Sequence, residues 1–178
     1  MKQNIYKTVL SAACLALCLV LPFLTGQIPE IGNTLCPMHI PVLLCGFICG
    51  WQYGFTVGFV APLLRSAAFS MPVMFPNAFA MAFELAAYGL ISGLLYKFLA
   101  KKTIFVYINL FLSLLGGRML WGTVMFILYG LGYSDFSFNM FITDAFLNAV
   151  PGIAIQLLLV PPVVMAVKKA NIKLNKHR

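Results

Sequence analysis

The sequence predicts an all-α integral membrane protein, a bundle of six transmembrane helices with both termini in the cytoplasm. Three observations carry that prediction. Of 178 residues, 62% are hydrophobic and 9% charged, with a mean hydropathy of +0.96, whereas a globular domain carries about 25% charged positions. The apolar residues fall into six runs separated by glycine, proline and charge. Finally, Lys2, Lys7, Lys97, Lys101, Lys102, Lys168, Lys169, Lys173, Lys176 and Arg178 all flank apolar runs. A net charge of +8 distributed in this way reports orientation, and no basic patch with interleaved aromatics points to nucleic acid.

The spans follow in order within one membrane-embedded domain, 1–178. The first covers about 7–24; no small-x-small cleavage site follows Leu21-Pro22-Phe23, and Leu17 spoils a lipoprotein cysteine at Cys18, so it reads as a retained helix. The second and third, about 39–52 and 54–69, are short for a bilayer that takes roughly 20 helical residues. A tight turn over 51–54 separates them, because one continuous helix would be too long. Spans four, five and six cover about 77–97, 103–130 and 140–167. This count puts every basic residue outside the apolar runs on one side and leaves Glu30 and Asp135 on the other, which the positive-inside rule reads as cytoplasm and exterior. No internal repeat is present, unlike many self-sufficient secondary transporters.

Polar groups inside the spans are the candidates for chemistry, because they are expensive in hydrocarbon. On span four, Asn77, Met81, Glu84 and Tyr88 share one helical face. Arg118 lies near the middle of span five, with Trp121, Met125 and Tyr129 above it. Asp144 and Asn148 open span six, Arg65 lies in the outer half of span three, and His39 caps span two. Four such charges cost on the order of 10 kcal/mol. Two readings fit: structural ion pairs, Arg65 with Glu84 and Arg118 with Asp144, or an outward-facing, aromatic-walled pocket with these groups as anchors.

Enzyme and metal readings lack residues. There is no Walker loop and no H-E-x-x-H, the five cysteines include no C-x-x-C, and Cys36, Met38 and His39 form only a loose cluster. No cofactor is expected. Small residues make the remaining pattern: Gly46, Gly50, Gly54 and Gly58 recur every fourth position, and Ala12 and Ala16 form A-x-x-x-A. Such spacing lets helices approach closely, either within the bundle or against a membrane partner.

Taken together, P-M-H-I-P-V-L-L-C-G, P-L-L-R-S, M-A-F-E-L-A-A-Y-G, G-G-R-M-L-W-G and F-L-N-A-V-P-G-I-A-I-Q resemble the substrate-binding S components of energy-coupling factor (ECF) vitamin transporters. The likeness covers nearly the whole chain. It implies a high-affinity capture subunit of an ABC importer in the prokaryotic plasma membrane, with a transmembrane coupling protein and two ATPases as partners. It further implies ligand contacts on helices four to six and a coupling-protein contact at Ala12 and Ala16, with the glycine series beside them. The Met38-His39-Ile40-Pro41 motif is similar to the N-terminus of cobalt and nickel S components, but here it is internal and offers no free amine. Pantothenate is the first expected ligand, its carboxylate suiting Arg118 or Arg65 and its hydroxyls and amide suiting Asn148, Asn77 and Glu84. A B6 vitamer also fits the charges, and the riboflavin and cobalamin classes and a self-contained secondary transporter stand as alternatives.

Overall fold

The computed structural model of the chain describes residues 2–25, 37–99, 102–130, 143 and 150–176. Among them are six α-helices and no strand: α1 (Lys2–Val20), α2 (His39–Cys49), α3 (Trp51–Phe69), α4 (Phe79–Phe98), α5 (Thr103–Gly130) and α6 (Val150–Lys176). A 3-10 turn, Leu21–Thr25, extends α1, and a π turn, Met74–Ala78, leads into α4. Four helices are long and apolar enough to cross a membrane: α1, α4, α5 and α6. With 11 residues, α2 is apolar but only about 16 Å long, short of a ~30 Å hydrocarbon core. In α3 the 19 residues suffice in length, but Gln52, Thr56, Arg65 and Ser66 dilute the apolar run.

The turn between α2 and α3 falls at Gly50, one residue before the expected 51–54 stretch. Gly50 has φ 103° and ψ 170°, with nothing within 4 Å of where a Cβ would stand. The demand for glycine there is therefore conformational rather than steric. Trp51 starts the next helix at once, so Gly54 is not a turn residue but a packing residue four positions in.

Helix directions alternate along the chain. Cys18 Sγ reaches Met38 O at 3.6 Å, where the end of α1 meets the start of α2. A Cβ on Gly54 would meet Gly46 Cα and Gly89 O, each at 2.7 Å, while Gly58 faces Leu85 and Gly93 faces Trp51. Hence α3 runs antiparallel to both α2 and α4, at backbone contact. Asn109 pairs with Ser92 and Arg118 with Glu84, which sets α5 antiparallel to α4, and Thr103 Oγ1 meets Met165 Sδ at 3.3 Å, which does the same for α5 and α6. One end of the bundle therefore collects Lys7, Gly50, Lys97, Lys102, Lys168 and Lys169.

The core is built from small residues around α4. Without a hydrophobic force between helices in lipid, close backbone approach supplies dispersion contact instead. Gly46, Gly54, Gly89 and Ala61, Ala82, Ala86 are all buried there. Cys14, Cys18, Cys45 and Cys49 are buried free thiols that fill the α1–α2 seam as small apolar groups. On the outer face α5 exposes Ile108, Phe111, Leu112, Leu115 and Met119, a surface suited to acyl chains and not to water.

Candidate functional site

Opposite the basic end, three helices bring three polar side chains onto one carboxylate oxygen of Glu84. Glu84 stands on the second turn of α4, and its Oε1 accepts a 2.7 Å hydrogen bond from Tyr88 Oη, one turn further along the same helix. From α5, Arg118 Nη1 lies 3.1 Å from that oxygen, and from the first residue of α2, His39 Nε2 lies 3.5 Å away. The His39 and Tyr88 rings sit 5.2 Å apart. Glu84, His39 and Tyr88 are almost completely buried, whereas the Arg118 side chain keeps 11% exposure. Gly117 makes the approach feasible: a Cβ there would sit 3.0 Å from Glu84 O and would overlap the Tyr88 ring.

Above this layer, Trp121, Val124 and Phe79 pack on a small cluster of Ala80, Met125 and Leu128. Trp121 and Met125, expected above Arg118, thus lie in one packed cluster with Phe79 from α4. Below it, Asn109 Nδ2 donates to Ser92 O at 2.9 Å, and Ser113 Oγ donates to Asn109 O at 2.8 Å and lies 3.1 Å from its Oδ1. The α4–α5 seam is thus polar for several turns beneath Glu84.

Other candidates lie elsewhere. Arg65 does not pair with Glu84. Its Nη1 donates to Leu19 O at 2.6 Å, and the guanidinium packs over Phe23 and Phe69, 5.2 and 5.5 Å from the ring centroids. The last carbonyls of α1 lack helical donors, and Arg65 answers that need from a distance of 46 residues. Asn77 lies in the turn just ahead of α4 and is exposed, whereas Glu84 is buried. Gly46 and Gly54 are consumed by internal packing, which removes them from a partner surface, while Ala12 and Ala16 remain exposed on α1. Asp144, Asn148 and Cys36 fall outside the described residues, as does the pairing of Arg118 with Asp144.

Two features were not singled out from the sequence. The Asn109–Ser113 pair carries a signal, an i, i+4 polar pair inside an apolar run. Gln156, 1% exposed on α6, carries another, an amide amid Ile155 and Leu157–Leu159.

The described helices thus form an apolar bundle that buries an Arg–Glu–His cluster at the end away from its lysines. The family model for the substrate-specific component of ECF transporters matches residues 7–164, and the chain belongs to that family. No curated protein and no solved structure matches it. The protein is the substrate-binding subunit of an ECF transporter and not itself an enzyme.

Proposed function

We propose that this chain captures a water-soluble vitamin at the Glu84–Arg118 layer and presents it to a coupling protein driven by two ATPase subunits. In this reading residues 1–178 form one domain of the prokaryotic plasma membrane that crosses it six times, α2 and α3 included. Both termini and the lysine-rich end face the cytoplasm, and the His39 end faces outward. Ala12 and Ala16 meet the coupling protein. The convergence of His39, Glu84, Tyr88 and Arg118 from three helices onto one buried oxygen carries the proposal.

Pantothenate remains the first candidate ligand, with its carboxylate at Arg118 near Trp121 and Met125. The Arg118–Glu84 contact favours a second reading. Because Arg118 already has an acidic partner, the pair is balanced, and a zwitterionic B6 vitamer leaves that balance undisturbed. Native mass spectrometry of the purified protein decides between them. The expected spectrum shows a stoichiometric adduct at the mass of one of these vitamins; a protein that never carries or gains any water-soluble vitamin contradicts the proposal.

A further inference from the structure

Gln156 has no role in anything described so far. It lies on the buried stripe of α6 formed with Gly152, Val160 and Val164, and its Oε1 makes no hydrogen bond among the described residues. In a bilayer interior no water reaches such a carbonyl, and leaving it without a donor is costly. A methionine of nearly the same shape avoids that cost. The chain nevertheless keeps an acceptor there.

Its depth places it under the site. α6 packs on α2 and α5, the helices that supply His39 and Arg118. The Thr103–Met165 contact fixes the register of antiparallel α5 and α6. Counting nine residues from each brings Gln156 level with Leu112, about 9 Å along the axis below Arg118. Helical side chains lean toward the N-terminus of their own helix. Between antiparallel neighbours that direction brings Arg118 and Gln156 toward the same layer from opposite sides. The Asn109–Ser113 group at this depth bonds to Ser92 and within itself, and none of its hydrogen bonds reaches Gln156 Oε1.

We infer that Gln156 reads the inner end of the captured solute, accepting a hydrogen bond from a ligand O–H or N–H while Arg118 meets the outer end. The inference rests on the capture reading above and narrows it. The ligand carries a donor at the end remote from Arg118, and an analogue with hydrogen in place of that group is rejected, because the amide is then buried without a partner.

The test uses the full-length protein in detergent, wild type and Gln156→Met. Thermal unfolding is measured without ligand. Equilibrium titrations use a panel of water-soluble vitamins, followed by analogues of whichever binds, each lacking one hydroxyl or N–H donor. The expected variant unfolds at an equal or higher temperature, binds roughly tenfold or more weakly, and no longer distinguishes the vitamin from one analogue that the wild type refuses. A variant that unfolds earlier, or fails to fold, yet a wild type indifferent to every donor deletion, assigns the amide to packing and overturns the inference. So does undiminished affinity in a folded variant. A wild type that binds no vitamin in the panel refutes the capture reading itself, and the inference falls with it.

Discussion

Oε1 of Glu84 takes Tyr88, Arg118 and His39 together, and that sharing decides how each residue responds to substitution. Removing Arg118 alone strands a carboxylate that is almost fully buried, a loss of about 3–5 kcal/mol. Changing both partners, Glu84→Gln with Arg118→Gln, strands no charge, so most of that stability should return while vitamin binding does not. Thermal unfolding of the single and double variants in detergent checks the pattern; equal stability of all three would show that the contact carries no energy. Arg65 belongs to a different class of arginine. Arg65→Ala deletes a charged hydrogen bond to Leu19 O and two ring contacts, and should cost about 2–3 kcal/mol in the same assay. From sequence Arg65, in the outer half of span three, and Arg118, near the middle of span five, each stood within reach of an acid. Side-chain partners depend on helix crossing, and no spacing rule supplies that.

At the level of single helices, glycine decides how closely α2, α3 and α4 approach. A side chain at Gly54 would collide with backbone of both neighbours, atoms that cannot swing aside. Gly54→Leu should therefore prevent recovery of folded protein from membranes or lower its unfolding temperature by many degrees, and a wild-type melting curve would contradict the packing account. The every-fourth glycine pattern was legible, and so was the choice it left open between internal and external contact. Burial against Gly89 settles it as internal for Gly46 and Gly54. The exposed small face left on α1 holds Ala12 and Ala16. Replacing both by leucine should leave vitamin binding in detergent intact while abolishing co-purification with the coupling module; retained co-purification contradicts a partner surface there. Asn77 is exposed just ahead of α4, so its i, i+7 relation to Glu84 did not by itself fix its burial.

For the molecule as a whole, the sequence was most informative about arrangement and least about partners. The helical character of the described residues, their alternation and the gathering of lysines at one end follow from hydropathy and charge, because the bilayer imposes length and polarity on every segment. The site was legible as a list, since Glu84, Arg118, Tyr88 and His39 are conspicuous in apolar runs, but not as a geometry. Gln156 and the Asn109–Ser113 pair escaped notice because neutral amides and hydroxyls are milder interruptions than charges. The most direct test of the central claim is an equilibrium titration of the vitamin identified by mass spectrometry into wild type, Arg118→Ala and Arg65→Ala. The account predicts that Arg118→Ala weakens binding more than roughly tenfold in protein that still folds, with Arg65→Ala within about twofold of wild type. Equal affinity in Arg118→Ala and wild type, or a larger loss at Arg65, would contradict it.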